Sequence, residues 1–401
     1  MIKIGDIKEV NIISNTNLGD GVGRIENKPI YIKNAVSKDK LEVKITRVNK
    51  KYLQGEIVKI VKESEDRVKP LCPYFPKCGG CTFWNVNINK ENEIKENYIK
   101  RLFPNVKVNT IIANNEINYR NKVTFHIHNG KLGYYQKNSN NLVIIDECLI
   151  LNKEINKIKK YLETLDLTKV TEIMIRYSNN YDELLINFKG QLKDYNNLKK
   201  IKNIKSIYIN NDLVYGNPTI KEKINNLEFL IGPNSFFQIN TNMIANLYNS
   251  IKNFITPSSS LLDLYCGTGT IGIYLNEYFE HILGIDIVKE NIENAFLNKE
   301  INKIDNISFQ HKDASSIENT YFDVVIVDPP RAGLGEKTKE HLLNINSKII
   351  IYVSCNPNTL KKDIEKLKEK YQLVEITPVN MFPKTEHVEC VSVLHRKKLE
   401  K

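Results

Sequence analysis

Apolar residues recur along this chain with two rhythms, and the change between them divides it. Over the first sixty residues polar and apolar positions alternate in short runs, at 9–13, 30–32, 41–45 and 55–60. Period-two alternation predicts strands with one buried face. Gly19-Asp20-Gly21-Val22-Gly23-Arg24 is a turn-rich link between the first two. Five or so short strands in so little chain predict a small β-barrel of the oligonucleotide-binding kind. Residues 87–103 place Ile88, Ile94, Tyr98, Ile99 and Leu102 at helical spacing, which predicts a charged surface helix. Alternation returns over 119–145, with a strand at 120–128, an Asn129-Gly130 hairpin turn and a strand at 132–135. A second hairpin joins 172–177 to 183–188, and the Lys- and Asn-rich 189–206 reads as a loop or surface helix.

From about residue 236 strands alternate with helices. Apolar runs at 261–265, 282–286, 307–310, 324–328 and 348–355 predict five buried parallel strands, with a helix over about 288–302. Two further strands, around 372–380 and 388–395, have no clear helix between them, so the sheet is expected to end antiparallel. The expected fold class is α/β. A Rossmann-like domain over 236–401 follows a barrel over 1–62 and an α+β domain over 63–235.

Composition alters this picture little. With 41% hydrophobic and 26% charged residues in 401, the chain has enough apolar side chains for a real core. No run nears the roughly 18 apolar residues that span a bilayer, and residues 1–6 lack the apolar core of a secretory signal. A cytoplasmic monomer with no membrane partner is expected. Charge says more. Residues 1–235 carry 39 Lys and Arg against 26 Asp and Glu, whereas residues 236–401 carry 19 against 21. A basic front on a near-neutral back suggests that the front holds a polyanion. Lys28, Lys33, Lys38, Lys40, Lys44, Arg47, Lys50 and Lys51 give the barrel a basic surface, and Arg120 and Lys122 with Phe125 are candidates to contact phosphate and stack a base, although such aromatics are more often core.

Seven cysteines, an odd number, argue for metal binding or catalysis and against a disulfide framework. Cys72, Cys78 and Cys81 form C-x5-C-x2-C, with two glycines letting the backbone fold tightly, and Cys148 is the spare cysteine before the catalytic region. Four thiolates suit tetrahedral zinc or an iron–sulfur cluster; the three-plus-one spacing favours the cluster. Phe75, Phe83 and Trp84 stand ready to shield it. Cys266 and Cys390 read as packing residues.

Gly267-x-Gly269-x-x-Gly272 follows a strand, and Asp286 ends the next one. Such a turn lets backbone approach a nucleoside ligand while the acidic residue accepts ribose hydroxyls, in nicotinamide and S-adenosylmethionine sites alike. Asp328-Pro329-Pro330 at the end of strand four points to methyl transfer onto planar nitrogenous rings or amides. The next residues are Arg331-Ala332-Gly333, so the aromatic that transfer to an exocyclic amine requires is missing. Transfer to carbon 5 of a pyrimidine needs a thiolate to add at carbon 6 and a base to remove the carbon 5 proton afterwards. Cys355 meets the first need, and residues 383–390 supply candidates for the second.

Taken with Ser235-Phe-Phe-Gln-Ile-Asn240 and His387-Val-Glu389, these motifs resemble the RNA uracil-5 methyltransferases, in the branch with a TRAM barrel and an iron–sulfur cluster, over essentially the full length. The resemblance implies a 4Fe-4S cluster on Cys72, Cys78, Cys81 and Cys148. It implies that Gln238, Tyr265, Asp286 and Asp328 line the S-adenosylmethionine and base pocket, with Thr270 and Asp313 as further candidates. Cys355 would be the nucleophile and Glu389 the base. Lys384 stands where the family pattern has His, which puts a substrate contact in question. The favoured substrate is a uridine in 23S ribosomal RNA. The alternatives are tRNA uracil methylation, a cytosine-5 target, or a catalytically silent RNA-binding or ribosome-assembly factor.

Overall fold

Period-two burial closes the N-terminal strands on themselves. Strands Ile7–Asn15, Gly21–Ile25, Lys28–Ile32, Lys40–Val48 and Leu53–Lys62 form a closed barrel in the order first, second, third, fifth, fourth. Val10, Ile12, Ile30, Ile32, Leu41, Val43, Ile45 and Leu53 fill it, while Lys33, Lys38, Lys44 and Arg47 face solvent as expected. The computed structural model describes residues 2–317 and 321–398. The chain divides into two units, the first made of 1–101, 134–143 and 382–387, and the second of 102–133, 144–381 and the chain from 388.

In the first unit, helix Ile88–Leu102 buries Ile94 and Ile99, but also Lys90, Glu91 and Lys95. Glu91 and Lys95 pair at 2.7 Å, one turn apart. The pair is occupied with residues 382–387. Both Glu91 oxygens accept the Lys384 backbone N–H, at 2.9 and 3.1 Å, and Lys95 Nζ donates to the Phe382 carbonyl at 3.2 Å. The Lys384 carbonyl in turn accepts the N–H groups of Thr82 and Phe83, at 2.7 and 3.0 Å. Lys384 is 4% exposed, with its ammonium 5.4 Å over the Trp84 ring. Lys384, which stands where the family pattern has His, thus anchors its own loop. Phe83 packs with Val36, Val86 and Ile94 as ordinary core.

The second unit holds two larger sheets. In one, strands Asp212–Gly216, Ile204–Ile209, Glu183–Gly190, Val170–Ser178 and Lys122–His128 are successive neighbours. Register sets Val123 against Ile175 and Phe125 against Ile173, and Ile186 and Phe188 continue that apolar face. Phe125 is fully buried there, so it stacks no base. The segment expected to be loop or surface helix holds a 3-10 turn at Leu198–Lys200 and the start of strand Ile204–Ile209.

The other sheet runs Ile307–His311, Phe279–Asp286, Ser258–Leu264, Val324–Val327, Ile349–Ser354, Glu389–Arg396, Tyr371–Val379, Lys107–Val108. The first five strands are parallel, and Glu389–Arg396 is antiparallel to both its neighbours, as the missing helix predicts. Val324, Val325, Ile326, Val327, Ile350, Ile351, Tyr352 and Val353 are all 2% exposed or less, because helices cover both faces of a parallel sheet. Among the described residues no helix is long and apolar enough to cross a membrane.

Candidate active site

Open α/β sheets bind ligands beyond the carboxyl ends of their strands, and the candidate residues gather there. After strand Ser258–Leu264 the backbone enters the left-handed region at Tyr265, Gly267 and Gly269, with φ of 62°, 55° and 78°. A Cβ at Gly269 would lie 2.7 Å from Phe309 Cζ, so the turn admits only glycine there. Helix Thr270–Tyr274 follows, and its Gly272 N–H donates to Asp263 Oδ2 at 3.1 Å. Burial pushes the Asp263 carboxyl up to about 8, with Asp328 and Asp286 adding to the effect and the Gly272 N–H opposing it.

Asp286 fixes the turn. Its Oδ2 accepts the Gly267 N–H at 2.9 Å, while its Oδ1 accepts the Val288 N–H at 2.8 Å and Asn291 Nδ2 at 3.1 Å. A cavity of about 400 Å³ opens beside it, lined by Tyr265, Ile285, Asp286, Asp313, Gly335 and Thr338 among others. Tyr265, Asp286 and Asp313 are thus brought to one space. Thr270 is engaged elsewhere, its hydroxyl accepting from Tyr248 at 2.7 Å.

Asp328, Cys355 and Glu389 form a second group on neighbouring strand ends. Ser354 pairs with Cys390 in antiparallel register, so Cys355 and Glu389, each one residue further on, face each other. Glu389 is 4% exposed, and burial, reinforced by the Asp328 charge and opposed by Arg331, pushes it up to about 8. Burial likewise pushes the partly exposed Cys355 thiol up to about 11, with Glu389 and Asp328 adding to the rise and Arg331 again opposing. Asp328 is raised to about 7 by burial. Three acidic groups therefore share one small region, where ionising any one raises the cost of ionising the next. Cys266 and Cys390 are buried packing residues, as expected.

The loop carrying Arg331 is held by the helix that follows Cys355. Asn356 Nδ2 and Thr359 Oγ1 donate to the Arg331 carbonyl at 3.1 and 3.3 Å, and Asp363 accepts the Leu334 N–H at 2.8 Å and the Tyr352 hydroxyl at 2.7 Å.

Gln238, 7% exposed, sits in a loop tied down at several points. Arg176 Nη2 donates to the Ser235 carbonyl at 2.7 Å, Asn121 Nδ2 to the Gln238 carbonyl at 3.3 Å and Asn240 Nδ2 to the Met381 carbonyl at 3.0 Å. Phe237 is buried, but Phe236 is 58% exposed, and a Cβ at Gly267 would lie 4.0 Å from its ring. An exposed aromatic at the glycine turn escaped the sequence reading. The Phe-Phe pair was the available signal, since one of two adjacent side chains in extended backbone must point away from the core.

Cys72, Cys78 and Cys81 lie partly exposed in the first unit. Burial raises the Cys78 thiol, Cys72 adds to this, and the Gly80 N–H opposes it. Cys148 belongs to the second unit, where its backbone N–H donates to Asn156 Oδ1 at 3.0 Å. Among the described residues, no three His, Cys, Asp or Glu side chains form a group able to hold a metal ion.

Comparison with known proteins identifies relatives of the whole chain. The family model described as tRNA (uracil-5-)-methyltransferase matches residues 161–321 and 308–397, and the TRAM domain model matches 3–58. A Staphylococcus epidermidis protein named as an uncharacterized RNA methyltransferase is 32% identical, over 100% of this chain and 99% of its own length. A Staphylococcus aureus relative of the same description is also 32% identical, over 98% of each. The crystal structure of Pyrococcus abyssi tRNA (uracil-54, C5)-methyltransferase in complex with S-adenosyl-L-homocysteine superposes with a TM-score of 0.79 at 28% identity. It covers 96% of this chain and 100% of that one.

Proposed function

The chain belongs to the tRNA (uracil-5-)-methyltransferase family, and on that premise we propose that it methylates carbon 5 of a uridine in 23S ribosomal RNA through a covalent adduct on Cys355. The register that faces Cys355 with Glu389 beside Asp328 is the observation that carries this reading. S-adenosylmethionine, when bound, supplies an electrophilic methyl group. The cavity of about 400 Å³ at the strand ends suits a nucleoside ligand, with Tyr265, Asp286 and Asp313 holding it and Gln238 and Asp328 towards the base.

Carbon 5 of uracil is a weak nucleophile. The Cys355 thiolate adds to carbon 6, forming an S–C6 bond and moving the electron pair onto carbon 5 and its enolate oxygen. Asp328, raised to about 7, offers a hydrogen bond to that oxygen, and exposed Phe236 offers a face for the extruded ring. Carbon 5 then takes the methyl group from the bound sulfonium, whose S–CH3 bond breaks to leave S-adenosylhomocysteine, and so carries both the new methyl group and its original proton. Glu389 as carboxylate removes that proton, the C5=C6 bond re-forms, and the S–C6 bond breaks to return the thiolate. Arg331 favours both anionic forms.

A second reading, a tRNA substrate, is favoured by the full-length likeness to the Pyrococcus abyssi enzyme. Incubation with 23S and tRNA transcripts and labelled S-adenosylmethionine, followed by mapping of 5-methyluridine, decides between them. Transfer only to tRNA ends the ribosomal assignment. Action on RNA also agrees with a cytoplasmic site of work.

The proposal includes a 4Fe-4S cluster on Cys72, Cys78, Cys81 and Cys148, supported by the donor chemistry of three thiols within ten residues and the Gly80 N–H aimed at Cys78. The side chains as they stand do not form a metal-holding group, so no catalytic step passes through it. Iron and sulfide analysis of protein purified without oxygen tests the cluster, and stoichiometric zinc would refute it.

A further inference from the structure

We propose that the polar face of the central sheet is a docking groove for the sugar–phosphate backbone of the RNA substrate, with Lys122 and Lys189 as its phosphate contacts and Arg176 as a charge buried beneath. This deepens the proposed function and rests on it.

The alternation that buries Val123 and Phe125 turns Lys122 and Thr124 to the opposite face. Register places Arg176 against Lys122, Met174 against Thr124 and Asn187, and Glu172 against Lys189, so these side chains share that face. All of these except Arg176 line an open cavity of about 550 Å³ that Asn234 also borders. Its one carboxylate, Glu172, is already engaged, 3.3 Å from Lys189 and 3.6 Å from His126.

Arg176 makes the groove more than a solvated face. It is 3% exposed, and only its Nη2 is satisfied, on the Ser235 carbonyl; Nε and Nη1 have no hydrogen-bond partner. Glu290 is the carboxylate that offsets its charge. Burial first, then the Arg176 and Arg120 cations, push the Lys122 ammonium down to about 7. Cations crowded this way repel one another until an anion joins them.

The lining contains no aromatic ring, so the groove offers nothing to stack a base and suits the RNA backbone. Strand rise and spacing put the backbones of Lys122 and Lys189 roughly 16 Å apart, a span along which the two ammonium groups can meet different phosphates of one strand. Arg176 also grips the carbonyl of Ser235, whose loop carries Phe236 and Gln238. A strand docked here therefore leads towards the candidate base pocket.

The test is fluorescence anisotropy with 23S ribosomal RNA and tRNA transcripts, in the presence of S-adenosylhomocysteine and across a salt series. Lys122→Gln and Lys189→Gln should each weaken binding about 3- to 10-fold at low salt and reduce the slope of log affinity against log salt by about 0.7–0.9. Lys122→Arg should keep the wild-type slope, as should Lys160→Gln at an exposed lysine on helix Lys153–Leu162. Unchanged affinity and slope in both glutamine variants, with methylation intact, would overturn the groove and leave the function standing. A wild-type protein that binds RNA and shows these slopes but transfers no methyl group would instead overturn the function.

Discussion

Cys355 and Glu389 face each other across two antiparallel strands, one residue beyond the pairing of Ser354 with Cys390. Addition and elimination at neighbouring ring carbons need a nucleophile and a base so placed. Fluorine at carbon 5 cannot be abstracted, so RNA containing 5-fluorouridine is expected to form an adduct that survives denaturation. Cys355→Ala should abolish it, and an undiminished adduct in that variant would remove Cys355 from the mechanism. Glu389→Gln should accumulate adduct on ordinary RNA while turnover falls at least a hundredfold.

The same proximity predicts a pH effect. An ionised Glu389 raises the Cys355 thiol, and a neutral glutamine removes that cause. The rate of adduct formation on 5-fluorouridine RNA should rise with pH as the thiol ionises. Its midpoint in Glu389→Gln should lie below that of the wild type. A midpoint that stays or climbs would show that the two groups are not coupled.

Stability should move the opposite way to activity. Asp263, Asp328 and Glu389 ionise near 4 when unfolded but are raised to about 8, 7 and 8 in the fold. Between these limits the native state binds more protons than the unfolded one, so stability falls as pH climbs from about 4 to 8. Glu389→Gln should therefore be about 4 kcal/mol more stable than wild type at pH 8 and nearly equal to it at pH 4 by chemical denaturation.

Asp286 accepts three hydrogen bonds from the glycine turn and the start of the next helix. Asp286→Ala leaves buried donors without acceptors at the mouth of the cofactor cavity. S-adenosylhomocysteine binding, measured by calorimetry, should weaken tenfold or more.

Removing one charge of the buried Glu91–Lys95 pair strands the other. Glu91→Gln is expected to cost about 3 kcal/mol in thermal or chemical unfolding, whereas changing exposed Glu65 in its surface pair with Lys38 should cost almost nothing.

The catalytic sheet was legible because parallel strands covered on both faces leave unbroken apolar runs, as at 324–327 and 349–353. The antiparallel end could be read from the missing helix. Strands Ile204–Ile209 and Asp212–Gly216 were hidden among lysines and asparagines, since one of their faces is polar. Phe125 is core, as its alternation with Lys122 and Thr124 favours, and the stacking role that an aromatic beside basic residues suggests falls away. Glu91 looked like one more charge on a surface helix. Its partner Lys384 lies nearly three hundred positions away, and no local pattern carries that information.

That distance bears on how the protein is made. The acceptor at Glu91 leaves the ribosome nearly three hundred residues before the backbone that satisfies it, at residues 382–387. Until then the Glu91 carboxylate has only Lys95 on its own helix, and water, for company. The first unit therefore completes its fold only once residues 382–387 have been made, and a chain stopped before them leaves that unit open and exposed to proteolysis.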